Sequence, residues 1–350
     1  MIARLLLALL VGLTLGCVPG PAYPPRSTPV PPADPTATPT PRPIALPRDE
    51  APHRDLTEWW YYTGHLDGED GEYGFELVVF QSVRGAGPVG YAAHFAVSDL
   101  PRGRFAYAER TSVGSQIDRA GPEGGFDLDV GGWRMRGASG RDHLAARTDD
   151  YGIDLALTAE KPPALHNRVG LISFGPAGDS YYYSRTRLSA SGALTIAGRT
   201  RPVTGIAWMD HQWGNFISAG GGWDWFSVQL DDRTELTGSV VRSDRGDTLL
   251  VYGTYVDAEG RAQHIDAPGF RVESLGSWTS PKTGATYPSG WRVRTTAPPL
   301  DLELTPLLLD QELDARASSG AVYWEGAVRV AGSRTGRGYV ELTGYGPAAG

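Results

Sequence analysis

The segment Met209-Asp210-His211-Gln212-Trp213 concentrates residue types able to do chemistry. In an extended chain alternate side chains share a face, so Met209, His211 and Trp213 point one way and Trp208, Asp210 and Gln212 the other. A protonated imidazole or a carboxylic acid can act as a general acid. A Trp face can stabilise a neighbouring cation by cation–π attraction, worth about 2 kcal/mol or more once desolvated. His211, Trp213 and Asp210 are therefore candidate catalytic residues, the alternative being that His211 and Trp213 are hydrogen-bonded core packing. Asp224, between Trp223 and Trp225, is a further carboxylate that can act as an acid or a partner of His211, or lie in a turn facing solvent.

Aromatic residues supply a candidate binding surface. In Glu58-Trp59-Trp60-Tyr61-Tyr62, Glu58, Trp60 and Tyr62 share one face while Trp59, Tyr61 and Thr63 share the other. One face is expected to be core and the other free to line a pocket, and alternation alone does not say which. Glu58, Trp60, Tyr62, Trp223 and Trp225 are the ligand-binding candidates. His94 joins them because its neighbours on one face, Ala92 and Ala96, leave room for a ligand or for a bulky packing partner.

Other chemistries lack their motifs. No Gly-x-Ser-x-Gly elbow offers a hydrolase nucleophile. The seven histidines show no His-Glu-x-x-His spacing, and no phosphate loop or dinucleotide fingerprint occurs, so neither a metal nor a cofactor is expected. The net charge is −8, Lys occurs only at 161 and 282, and the Arg residues are scattered, which argues against a nucleic-acid surface.

The elements that would carry these residues read as β-strands. The 350 residues suffice for two domains, and ten Trp, sixteen Tyr and forty-six Gly favour pleated strands joined by tight turns. Glu58–Leu66 and Tyr73–Gln81 form an expected hairpin around Asp67-Gly68-Glu69-Asp70-Gly71. Short strands continue from Tyr91 to Ile196 and, as a second series, from Val203 to Leu342. Even spacing of this kind is the signature of barrels or sandwiches. Pro306–Glu312 is expected to make one short helical turn, and Ser218–Gly222 a flexible loop. A boundary near Gly198–Pro202 gives an N-terminal domain over 49–198 and a C-terminal domain over 199–350.

Ahead of the folded part, Met1–Gly16 reads as a signal peptide: Arg4, then the apolar run Leu5–Leu15, then small Gly16. Leu13-Thr14-Leu15-Gly16-Cys17 resembles a bacterial lipoprotein cleavage box, in which Cys17 would be lipidated and anchor the chain to a membrane. An ordinary secretory signal is the alternative. Cys17 is the only cysteine, so no intramolecular disulfide is available. Residues 17–48 are rich in proline, which suits a semi-rigid tether in polyproline II conformation.

Several segments together resemble the AttH-like family, which includes the carotenoid hydratases (hydroxyneurosporene synthases). They are Glu58-Trp59-Trp60-Tyr61-Tyr62-Thr63-Gly64-His65-Leu66, Ala93-His94-Phe95-Ala96, Ser180-Tyr181-Tyr182-Tyr183-Ser184, Gly205-Ile206-Ala207-Trp208-Met209-Asp210-His211-Gln212-Trp213-Gly214 and Gly222-Trp223-Asp224-Trp225-Phe226. Tyr323-Trp324-Glu325-Gly326 and Gly338-Tyr339-Val340-Glu341-Leu342 complete the set in order. The resemblance implies an all-β chain of two tandem lipocalin-like (calycin) barrels, a lipophilic ligand of polyene, terpenoid or polyketide-like type, and acid-initiated hydration, isomerisation or cyclisation. It also implies a Tyr and an Asp two apart on a following strand, beside the His and Trp. The corresponding strand here, Glu235–Arg242, holds neither, which puts carotenoid hydration in doubt and leaves a non-catalytic apolar-ligand carrier as the alternative.

Overall fold

A computed structural model describes residues 42–85, 87–115, 124–216 and 220–346. The signal peptide, Cys17, residues 18–41 of the tether and Ser218–Ala219 of the Gly-rich loop lie outside the described residues. Within them the regular structure is strand, interrupted only by one-turn 3-10 segments such as Arg48–Glu50 and Leu100–Arg102.

The strands form two large antiparallel sheets. In the first, Thr57–Gly68 is central, hydrogen-bonded on one side to Gly71–Ser82 and on the other to Arg199–Gly214. Val89–Asp99 and Arg104–Gly114 extend the first side; Asp179–Ile196, Tyr151–Ala159, Arg141–Arg147, Trp133–Ala138 and Phe126–Val130 extend the second. The last of these returns against Val89–Asp99 and Arg104–Gly114, so the sheet is nearly a closed barrel. The second sheet runs Ala262–Asp266, Thr248–Val256, Glu235–Ser243, Gly220–Leu230, Gly336–Thr343, Ala321–Gly332, Pro299–Pro306, Trp291–Thr296 and Phe270–Ser274, and likewise almost closes. The chain is thus two tandem barrels of lipocalin-like form.

Four local expectations need correction. Val203–Gly214 pairs with the whole of Thr57–Gly68, so the change of sheet falls between Gly214 and Gly220, not near Gly198. Ala197-Gly198 is a hairpin turn inside the first sheet; its turn residues look like a boundary only because hairpins and linkers use the same types. Residues 307–311 make no helical turn and lead directly into the strand Glu312–Ala315, and Gly220–Gly222 begin a strand. Finally, the end of the proline-rich segment is docked: Ile44 and Leu46 pack on the first core, and Ala45 N–H donates to Asp49 Oδ2 at 2.7 Å.

Alternation and register decide which side chains are inside. Opposite residues of paired strands share a face. Trp60 faces Val79 on one neighbour and His211 on the other, and His211 faces Tyr183. These residues, with Tyr62, Leu66, Phe75, Leu77, Met209 and Trp213, form the first barrel's core. Each large side chain buried there contributes about 1.5–3 kcal/mol. Gly64 is required where strands cross closely, since a Cβ would stand 2.6 Å from both Ile206 O and the Phe75 ring.

The opposite face of these strands packs on the second sheet. Tyr61, Val78 and Trp208 meet Trp225, Ala327 and Tyr339. A buried ionic knot also joins the barrels: Glu235 accepts from Lys161 Nζ at 2.7 Å and from Arg187 Nε at 2.6 Å. Gln229 Nε2 donates to the carbonyls of Thr186 and Ala207 at 2.8 and 2.9 Å.

Candidate functional site

Between the facing sheets lies a cleft of about 900 Å³, counting the part open to solvent. The first sheet contributes Trp59, Tyr61, Glu76, Val78, Phe80, Tyr182, Asp210 and Gln212, the second Trp223, Trp225, Ser239, Val241, Tyr252, Tyr323 and Glu341. Its walls are mostly aromatic. Trp59 and Trp223 lie nearly parallel with centroids 6.5 Å apart, and Tyr61 meets Trp225 edge-on at 5.3 Å. An apolar concavity with a few convergent polar groups is the usual form of a small-molecule site.

Three carboxyls enter this apolar space, and they differ in how they are held. Asp210 accepts hydrogen bonds from Trp208 Nε1 at 2.7 Å and from the hydroxyls of Tyr182 and Ser184. Burial pushes it up to about 6, against those three donors, so it is mostly ionised at neutral pH. Glu341 accepts from Trp223 Nε1 at 2.8 Å, and burial raises it to about 7. Among the described residues Glu76 accepts only from Tyr323 Oη, at 2.9 Å on Oε1, and its buried Oε2 has no partner. Burial, opposed by that one hydrogen bond, lifts Glu76 to about 8, so it carries its proton at neutral pH. Behind it, buried Glu325 is also pushed well up and accepts from Tyr61 Oη at 2.8 Å. Carboxyls whose environments separate their affinities for a proton are the usual material of acid–base pairs.

The residues singled out in the sequence divide between three places. Asp210, Trp223 and Trp225 line the cleft. Asp224, between the two tryptophans, faces away from it, taking hydrogen bonds from Arg242 Nη1 at 2.5 Å and Tyr345 Oη at 3.0 Å. His94 is buried behind the cleft wall, with Nδ1 2.7 Å from Tyr323 Oη and Nε2 3.0 Å from Ser318 Oγ. Small Ala92 and Ala96 leave room there for a residue of the other sheet.

Glu58, Trp60, Tyr62, His211 and Trp213 do not face the cleft. Register turns all five into the first barrel, because they lie one residue out of phase with Trp59, Tyr61, Asp210 and Gln212. Asp210 and His211 therefore cannot act in one space. Trp59 and Tyr61, from the face the sequence left undecided, are the aromatic lining.

The inward group is a closed network. Glu58 Oε1 is 2.8 Å from both His211 Nε2 and His53 Nδ1, and Oε2 accepts from His53 N–H at 2.8 Å and Gln81 Nε2 at 2.9 Å. The His53 ring stacks on Trp213 at 4.3 Å, and His211 stacks on Trp60 at 4.7 Å. Burial holds His53 down at about 4 and His211 far below its ordinary value, so both imidazoles are neutral. Sequence spacing gave no metal motif, yet among the described residues ligand atoms of His53, Glu58 and His211 come within 4.8 Å of one another. Two imidazoles and a carboxylate could hold a transition-metal cation there. In the present arrangement each of those atoms is engaged in hydrogen bonds.

The glutamates at the cleft were not singled out in the sequence. Their signal was available: Glu76, Glu325 and Glu341 are lone carboxylates in otherwise apolar or aromatic strand segments, Phe75–Val78, Val322–Val328 and Tyr339–Leu342. A carboxyl seldom occurs at such a position without a task or a partner.

No curated protein matches the chain. Among solved structures, a Nitrosomonas europaea protein assigned to AttH is 33% identical, with a TM-score of 0.79, covering 87% of this chain and 98% of its own. Kievitone hydratase from Nectria haematococca is 17% identical with a TM-score of 0.65, over 86% of this chain and 93% of that one. The protein CghA is 12% identical with a TM-score of 0.52, over 84% and 90%. At those identities the last two show a shared fold. The AttH-like family model matches residues 37–345, so by sequence and by its pair of facing barrels the chain belongs to the AttH-like family.

Proposed function

We propose that the cleft between the barrels binds an apolar, unsaturated small molecule and that Glu76 adds a proton to it, beginning hydration, isomerisation or cyclisation. The observation that carries this reading is a protonated carboxyl with an unpartnered buried oxygen in an aromatic cleft. The Glu76 proton goes to one alkene carbon, and the cation left on the other is stabilised by the faces of Trp59, Trp223 and Trp225. In hydration, water attacks that cation and yields its surplus proton to a cleft carboxylate, for which ionised Asp210 is the available base. The fold is also that of kievitone hydratase, but the chemical case rests on the cleft.

The test uses acyclic polyenes of several lengths incubated with the protein in deuterated water. Carbon-bound deuterium is expected with the natural chain and a loss of at least 100-fold in Glu76→Gln. No incorporation with any polyene, or an undiminished rate in the variant, would overturn the reading. A second reading is favoured by the strand Glu235–Ser243, which presents Ser239 and Val241 to the cleft and has no Tyr–Asp pair. It is a carrier that binds the same ligands without turnover. Quenching of Trp fluorescence by polyenes with no deuterium incorporation would select it.

The proposed setting is extracytoplasmic, with Cys17 lipidated and the proline-rich segment as spacer. Incorporation of a labelled fatty acid that disappears in Cys17→Ser is the expected result; labelling that survives the substitution would refute it.

A further inference from the structure

A buried acid that gives its proton to a ligand must be reloaded, and a ligand filling an aromatic cleft displaces the water that would do so. Behind Glu76 a series of hydrogen bonds leads away from the cleft. Tyr323 Oη lies 2.9 Å from Glu76 Oε1, His94 Nδ1 lies 2.7 Å from Tyr323 Oη, and Ser318 Oγ lies 3.0 Å from His94 Nε2. Ser318 in turn bonds to the Glu109 carboxylate. Glu76 and His94 are each 1% exposed, whereas Ser318 and Glu109 are half-buried, so the series runs from the interior to the surface.

Both sheets are needed to build it. Glu109 is the direct cross-strand neighbour of His94, and Ala96 is that of Glu76. These place Glu76, His94 and Glu109 on the outward face of the first sheet. Tyr323 comes from a strand of the second sheet, and Ser318 from the turn that precedes this strand. Every member between the ends can both give and accept a proton: two hydroxyls and an imidazole engaged at both nitrogens. Burial keeps His94 neutral, near 4, leaving one ring nitrogen as donor and the other as acceptor.

We propose that Glu109, Ser318, His94 and Tyr323 are a proton relay that reloads Glu76 from solvent. It rests on the reading of Glu76 as the acid. After Glu76 has protonated the ligand, the Tyr323 hydroxyl proton passes to Glu76 Oε1 and the His94 Nδ1 proton to Tyr323 Oη. The Ser318 hydroxyl proton passes to His94 Nε2, and a proton taken from solvent by Glu109 passes to Ser318 Oγ. One proton enters, Glu76 regains one, and each intermediate member ends neutral with its hydrogen bonds reversed. Tyr323, His94 and Ser318 make and break only N–H and O–H bonds. Return of the relay to its first polarity takes rotation of the two hydroxyls, a tautomer change at His94 and rotation of the Glu76 carboxyl.

The experiment reads the proton itself, with the cleft filled by squalane, a saturated hydrocarbon that displaces cleft water and offers no double bond to protonate. The infrared band of a protonated carboxyl, assigned to Glu76 by its absence in Glu76→Gln, shifts when the protein is transferred to deuterated water near pH 6.5. Ser318→Ala and His94→Gln are expected to slow that shift at least tenfold, while Ser318→Thr, which keeps the hydroxyl, exchanges as the natural chain does. Amide exchange in the same spectra must be unchanged, which separates a broken relay from a loosened fold. Equal rates in all variants would overturn the relay, as would the absence of any Glu76 carboxyl band. Slowed exchange in a protein that labels no polyene would sustain the relay while removing the catalytic reading.

Discussion

Replacing Glu76 by Gln tests the electrostatics of the cleft through stability alone. Glu76 holds its proton up to about pH 8 in the fold because burial disfavours its charge, while in the unfolded chain it releases the proton near the ordinary 4.5. Between these values the folded state binds a proton that the unfolded state has lost. Stability is then full below about pH 4.5 and falls as pH rises to about 8, at about 1.4 kcal/mol per pH unit. The accumulated loss is about 5 kcal/mol and grows no further above pH 8. Glu341 and Asp210, raised to about 7 and 6 by burial, act in the same direction, but both remain in the variant. Gln keeps the oxygen that accepts from Tyr323 and cannot ionise. The difference between urea-unfolding free energies of Glu76→Gln and the natural chain should therefore grow by several kcal/mol from pH 5 to pH 9, in favour of the variant. Parallel curves over that range would refute the claim that Glu76 is held protonated.

Further predictions concern packing and placement. Gly64→Ala should cost about 1–3 kcal/mol in thermal unfolding, since the added methyl meets backbone at Ile206; a change within 0.5 kcal/mol would contradict the close crossing. Glu235→Gln leaves Lys161 and Arg187 without their buried counter-charge and should cost about 3–5 kcal/mol. The joint replacement Lys161→Met, Arg187→Met, Glu235→Leu should recover most of that loss, and a failure to do so would assign the knot a role beyond charge compensation. Asp224→Asn should lower stability by about 1–2 kcal/mol and leave polyene quenching of Trp fluorescence unchanged, because the carboxyl serves Arg242 and Tyr345 behind the cleft. Altered quenching would place Asp224 in the cleft after all.

The sequence alone was enough to determine strands, turns and the two faces of each strand. Pleating has period two whatever the surroundings, so the separation of Asp210 from His211, and of Tyr61 from Trp60, was legible at once. The motifs that resemble the AttH-like family lie on the strands that now form the cleft and the first core. Only the tertiary structure decided which face was which. Trp60 and Tyr61 are equally aromatic, and burial inside a barrel differs from burial beneath a second sheet only once both sheets are closed and paired. The same holds for the residues that gather from distant strands. Glu76 acquires its proton because the facing sheets bury it, with Glu341 adding a like charge, and His53 reaches Glu58 and His211 through a loop whose course no local pattern encodes. Proton affinity depends on solvent exclusion and on neighbours in space, so the chemistry of this cleft could be read only after the two barrels had been set face to face.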